Sequence, residues 1–120
     1  LSSNDIASIN AHGTSTPLND AAEAEALSKL FGDNGPPVTS TKGITGHALG
    51  AAGAIEATAV LLSFIHKQIP PTSGFTTPDP EMAEFNLVTG GPQDWEPGPS
   101  MSNSFGFGGH NGSIVLAPAE

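Results

Sequence analysis

Cysteine and arginine are both absent from this 120-residue chain. Without cysteine there is no disulfide and no thiolate-based zinc site. The commonest covalent nucleophile of acyl transfer is missing as well. Without arginine, the positive side chains are Lys29, Lys42 and Lys67, set against twelve acidic residues for a formal charge of −9. A nucleic-acid surface needs a basic stripe to neutralise phosphates, and a polybasic membrane contact needs clustered lysine; the chain supplies neither. No signal-peptide pattern opens it. The longest apolar run, Ala48 to Ile65, carries Glu56 and several Gly and Ala, which suits a buried helix better than a membrane span. These absences predict a soluble, cytoplasmic protein with no nucleic-acid or membrane partner. The chain starts at Leu1 without Met, as an excised piece of a longer polypeptide would.

What remains is an ordinary globular composition, 37% apolar, with loops given a large share by 15 Gly and 11 Pro. Ile6 to Asn10 reads as a short strand that ends in the polar stretch His12 to Pro17. A helix follows, with Asp20 as its cap and Glu23 completing a capping box. Ala26, Leu27, Leu30 and Phe31 share one stripe of it, Glu25 and Lys29 form an i,i+4 pair, and Gly32 is the natural stop. Pro37 to Ser40 reads as a second strand. The turn Thr41 to His47 then leads into a long helix reaching about Ile65, apolar on nearly every face and so expected to be buried on most sides. Gly50 and Gly53 inside that helix imply close packing of another backbone, and Pro70-Pro71 ends the element. Asn86 to Thr89 reads as a third strand, and Ser102 to Leu116 as a hairpin with a tip at Phe105 to Gly112. The order β-α-β-α-β-β-β predicts an α/β fold with a mixed five-stranded sheet and one buried helix. A helix apolar all round needs cover from both sides, so the chain is expected to pack against something it does not contain.

Four histidines and one carboxylate, Glu56, which either lies inside the apolar helix or faces a solvent strip, bear on chemistry. His12 sits where a strand gives way to a Gly/Thr/Ser loop. A polar loop histidine is the commonest fate for either His12 or His47, but His47 falls at the start of the long helix. A helix N-terminus disfavours imidazolium and leaves a neutral ring able to donate one hydrogen bond to an oxyanion. Glu56 is the lone charge between His47 and Ile65, and a carboxylate there is costly unless paired. Lys42, folded back by the preceding turn, is its candidate partner. With His66 and His110 included, the histidines have no ligand-type spacing, so no metal is expected. Gly43 to Gly53 lacks the Gly-Lys-Ser/Thr of a phosphate loop, and Gly106 to Gly112 misses the dinucleotide spacing. A glycine-rich hairpin tip does expose backbone N–H groups, the raw material of an oxyanion hole.

Three segments taken together resemble the β-ketoacyl-acyl-carrier-protein synthases, the condensing enzymes of the thiolase-like superfamily. They are Asn10-Ala11-His12-Gly13-Thr14-Ser15-Thr16, Lys42-Gly43-Ile44-Thr45-Gly46-His47-Ala48-Leu49-Gly50-Ala51-Ala52-Gly53, and Asn103-Ser104-Phe105-Gly106-Phe107-Gly108-Gly109. The resemblance spans the chain in family order and is nearest the type II elongating synthases of fatty acid synthesis. It implies the C-terminal half of a thiolase-like fold, a single domain over residues 1–120, with the nucleophilic cysteine in an N-terminal half that is absent. It also implies roles. His12 and His47 would bind the malonyl thioester carbonyl and assist decarboxylation, while Lys42 would pair with Glu56 and hold the site's electrostatics. Thr14 and Thr16 would hydrogen-bond the phosphopantetheine arm. Phe105, Gly106, Phe107 and Gly108 would form the acyl-side loop, with Phe107 as gate and its N–H in the oxyanion hole. No cofactor of its own is implied. The implied partners are acyl carrier protein, docked mainly on surfaces outside this acidic segment, the N-terminal half, and a second copy in a homodimer. A polyketide ketosynthase and a non-catalytic chain-length-factor partner stay open as alternatives, the latter made less apt by the two retained histidines. The isolated segment is expected to be inactive and poorly soluble.

Overall fold

A computed structural model describes residues 1–119 of the chain. Strand β1, Ser8–Asn10, is the centre of the main sheet. Its three residues are all buried, as a parallel strand covered on both faces requires. On one side it pairs in parallel with β2, Val38–Thr39, and on the other with β5, Ser100–Ser104. The register sets Asn10 beside both Thr39 and Ser102. Strand β6, Gly112–Leu116, returns antiparallel on β5, giving the order β2-β1-β5-β6. The expected α/β architecture with a mixed sheet is therefore present. Of the five strands read from the sequence, four form this sheet. The fifth segment, around Leu87, joins the β2 edge by a single parallel bridge to Val38 and is too irregular to extend into a strand. A separate two-stranded sheet of β3, Gln68–Ile69, and β4, Gln93–Asp94, was not foreseen.

Helix α1, Pro17–Phe31, starts earlier than Asp20. Pro17 lacks the N–H that a first helical position would leave unpaired, and its fixed φ suits that position. Thr16 is accordingly the N-cap, Asp20 lies within the first turn, and there is no capping box with Glu23. Gly32 ends the helix at φ 66 as expected, and Lys29 meets Glu25 at 2.6 Å on the exposed face. The buried face is Glu23, Ala24 and Leu27; Leu30 and Ala26 point outward. Leu27 packs with Ile6, Ile9, Ala11 and Val38, flanked by Phe31, Phe85 and Met101, to form the core on that side of the sheet.

The expected long helix from His47 is broken into pieces: α2, Lys42–Thr45, a 3-10 turn at Leu49–Ala51, and α3, Ala52–His66. Gly50 falls in the 3-10 turn with open space beside it, so no close packing explains it, whereas Gly53 faces the Ser104 hydroxyl. α3 ends at Lys67, in the left-handed conformation at φ 51, ahead of Pro70-Pro71. It lies against β5, and its buried stripe is Ala52, Glu56, Val60 and Ser63, one face of a 3.6-residue period. Ile55, Leu61, Leu62 and Ile65 remain 38% to 73% exposed, so burial on most faces is not supplied by the chain's own residues. By length and composition Leu49–His66 is apolar enough to cross a membrane. Its middle carries the buried, ion-paired Glu56. Trp95 anchors the far end of α3 by stacking on Phe64 and donating from Nε1 to the Ala7 carbonyl.

Gly43 illustrates how tightly α2 is seated, because a Cβ there would run into the Ser73 backbone carbonyl. Gly43→Ala is expected to destabilise the fold by about 1–3 kcal/mol, measured by denaturant unfolding of the protein that carries this chain.

Candidate functional site

Parallel strands send their carboxyl ends to one edge of a sheet, which is where open α/β folds place their sites. Here the loops after β1, β2 and β5 carry His12, Lys42 and Phe105 to a common edge. The backbone after β1 turns sharply at Gly13, φ 46, where a side chain would collide with Ser40, whose hydroxyl donates to the Gly13 carbonyl at 3.1 Å.

Glu23 holds this turn from beneath. It is 4% exposed. Its two oxygens accept from the N–H groups of His12 and Gly13, each at 2.9 Å, and from Asn103 Nδ2 of β5 at 3.3 Å. The Asn103 carbonyl oxygen in turn accepts from the Ser113 hydroxyl at 2.7 Å. One carboxylate thus joins the first motif, α1 and the third motif. In the sequence alone Glu23 reads as the capping-box partner of Asp20. The signal that could have found it was its place beside Ala24 and Leu27 on the inward face, where an acid needs donors.

Lys42 and Glu56 form a buried ion pair, with side chains 5% and 1% exposed. Asn10 Nδ2 reaches the hydroxyl of the neighbouring Thr41 at 3.5 Å. Lys42 Nζ also lies 3.5 Å from His12 Nδ1. An ammonium can only donate, so Nδ1 is the acceptor and a neutral His12 keeps its proton on Nε2. Burial lowers the His12 pKa, and the Lys42 charge lowers it further, partly opposed by Glu56.

His47 is placed differently from the sequence expectation. It is exposed and precedes α3 by five residues, so no long-helix N-terminus acts on it directly. The Leu49 N–H donates to its Nδ1 at 3.2 Å, from a left-handed backbone at φ 52. The consequence for the neutral ring is the same as at His12, a proton on Nε2. The two imidazoles meet edge to face, centroids 5.4 Å apart, and Phe105 packs on His12 at 5.6 Å. His12, His47, Lys42, Glu56 and Phe105 therefore form one cluster. Phe107 stands fully exposed on the 3-10 turn Phe107–Gly109. Gly106 donates its N–H to Asn111 Oδ1 at 3.4 Å, and Gly108 takes φ 79. The hydroxyls of Thr14 and Thr16 bond each other at 2.7 Å beside Ser15, φ 61. Among the described residues, no hydrogen bond or ring contact joins Phe107 or this threonine pair to the histidines.

Two imidazoles that meet edge to face, each with Nδ1 occupied, have Nε2 as the N–H donor of the neutral tautomer, and such donors can stabilise a developing oxyanion. Comparison with known proteins identifies the family. Residues 1–76 match the family model described as beta-ketoacyl synthase, C-terminal domain, a match that includes both histidines, Lys42 and Glu56. The chain belongs to this β-ketoacyl synthase family. It is 44% identical over 118 residues to 3-oxoacyl-[acyl-carrier-protein] synthase 2 of Staphylococcus aureus (strain COL), covering 97% of this chain and 28% of that protein. Among solved structures it superposes on a beta-ketoacyl synthase from Burkholderia phymatum STM815 with a TM-score of 0.95 and 38% identity, over all of this chain and 29% of that one. It also superposes on a ketosynthase solved with its type II polyketide acyl-carrier protein, TM-score 0.92 and 33% identity, over 100% and 30%. The chain thus spans under a third of the length of the relatives it matches, and its fold is thiolase-like.

Two outcomes follow from the geometry. Glu23→Gln would turn an NH2 toward one of the two loop N–H groups, and unfolding is expected to show a loss of about 1–3 kcal/mol. Folding lowers the His12 pKa below its ordinary 6.5, so the unfolded chain binds its proton first as pH drops. Stability from this group is complete above pH 6.5 and is lost as pH falls toward the lower folded value. Unfolding curves across that range are expected to flatten in His12→Gln.

Proposed function

We propose that the protein carrying this chain is a 3-oxoacyl-[acyl-carrier-protein] synthase of fatty acid biosynthesis, and that this segment supplies its malonyl-decarboxylating donors. The observation that carries the reading is the His12–His47 pair, with each Nδ1 engaged and neither Nε2 hydrogen-bonded among the described residues.

In this mechanism a malonyl thioester, borne on the phosphopantetheine arm of acyl carrier protein, places its thioester carbonyl oxygen before the two Nε2 atoms. The carboxylate leaves as CO₂, and the electron pair of the broken bond passes into an enolate whose oxygen the two N–H groups hold. Burial and the Lys42 charge favour the neutral ring at His12, and a neutral imidazole keeps its proton and stabilises charge without transferring it. The enolate carbon then attacks an acyl group carried as a thioester on a cysteine. The thiolate leaves, and 3-oxoacyl carrier protein is released in a ping-pong sequence. The chain has no cysteine, so that nucleophile belongs to another part of the protein. Phe107 N–H serves the second oxyanion, formed on the acyl carbonyl, and the Phe107 side chain with Phe105, Gly106 and Gly108 gates that pocket. Thr14 and Thr16 hold the carrier arm. The reading includes acyl carrier protein and a second copy of the same subunit as partners, a cytoplasmic location, and no cofactor.

A polyketide ketosynthase is the second reading, favoured by the 33% identical ketosynthase solved with a polyketide carrier protein. The 44% identity to a 3-oxoacyl-[acyl-carrier-protein] synthase 2 supports the first reading over it. Product analysis separates the two.

His47→Ala or His12→Ala in the full protein is expected to lower malonyl decarboxylation at least about a hundredfold, the usual worth of one oxyanion donor. Acylation of the enzyme by an acyl donor should persist in His47→Ala. Retained decarboxylation in both variants would remove the assignment. The isolated 120-residue chain is expected to perform no condensation.

A further inference from the structure

The chain contains two Asn-Gly steps, Asn34-Gly35 and Asn111-Gly112, and the fold treats them differently. Asn34 is exposed at the end of the 3-10 turn Gly32–Asn34, and its side chain makes no hydrogen bond among the described residues. Gly35 follows outside any strand and carries no side chain to shield its backbone nitrogen. Asn111 is also exposed, but its Oδ1 accepts from the Gly106 N–H and its own N–H donates to the Gly109 carbonyl. Gly112 is paired with Ser104 in the β5–β6 ladder, which fixes the backbone at that step.

We propose that Asn34 is a site of spontaneous deamidation and that Asn111 is protected by its fold. The Gly35 backbone nitrogen gives up its proton and attacks Asn34 Cγ, and the bond from Cγ to the side-chain nitrogen breaks. Ammonia leaves, and a five-membered imide remains. Water opens the imide at either carbonyl, leaving aspartate or isoaspartate; no oxidant or reductant takes part. Isoaspartate would add a methylene to the backbone just ahead of Pro36 and Pro37, on the approach to β2 and Lys42. A new carboxylate would stand beside Asp33 in a chain already at −9.

The test is ageing of the native protein at mildly alkaline pH, followed by trypsin and mass spectrometry that resolves aspartate from isoaspartate. Cleavage after Lys29 and Lys42 isolates Asn34 in the Leu30–Lys42 peptide, and fragmentation of the peptide starting at Gln68 reads Asn111. Conversion at Asn34 is expected to run at least about fivefold faster than at Asn111, the factor that one hydrogen bond is worth. Denaturation before ageing should bring the two rates together, and Asn34→Gln should leave the Leu30–Lys42 peptide unconverted. Equal or reversed rates in the native protein would overturn the proposal. So would a difference that survives denaturation, since the local sequence and not the fold would then set it.

Discussion

The buried ion pair between Lys42 and Glu56 is the constraint around which the site is arranged. Two charges removed from water are tolerated only as partners, and loss of one strands the other at a cost of about 3–5 kcal/mol. The pair therefore ties α2 to α3 across the turn that carries His47. It does more than fasten them. Lys42 also reaches His12 Nδ1, so the ammonium that balances Glu56 fixes the direction of the first imidazole. Burial, and then the same charge, lower the pKa of that ring. A lysine answered by a carboxylate thus places a fixed positive charge beside His12.

Glu23 supplies the complementary restraint from the other side of the sheet. It has no cation partner among the described residues, and backbone and amide N–H groups satisfy it instead. Carboxylates stabilised this way need a turn whose amides converge, and Gly13 makes that turn. Helix α1 is positioned on the strand ends by this acid as well as by Leu27. The same contact links α1 to Asn103, so movement of the helix would be felt in the third motif.

Much of this was legible in the residues. The three motif segments located His12, His47, Lys42 and Phe105, and the cost of an unpaired carboxylate in an apolar run pointed from Glu56 to Lys42. The β5–β6 hairpin and the stop at Gly32 followed from local chemistry. What was not legible depended on contacts distant in sequence. Asp20 looked like a cap until Pro17 is seen to begin the helix, and Glu23 looked like its box partner until the amides of His12 and Gly13 claim it. The run from His47 reads as a single helix because Ala and Leu favour one, yet Leu49 adopts a left-handed backbone that breaks it and turns an N–H back onto His47. Strands β3 and β4, two residues each, carry too little alternation to announce themselves.

The parallel register of β1 and β5 acts as a length standard for the chemistry. Asn10 stands beside Ser102, and from those two points the chain counts out to His12 and to Phe105. A slip of one residue would displace one loop by about 3.3 Å and turn Asn103 away from Glu23. That step exceeds the tolerance of any hydrogen bond in the cluster. A near-native chain with its strands misaligned by one position would keep most of its sheet and lose the whole site at once, so fidelity of strand alignment and competence of the site are one quantity.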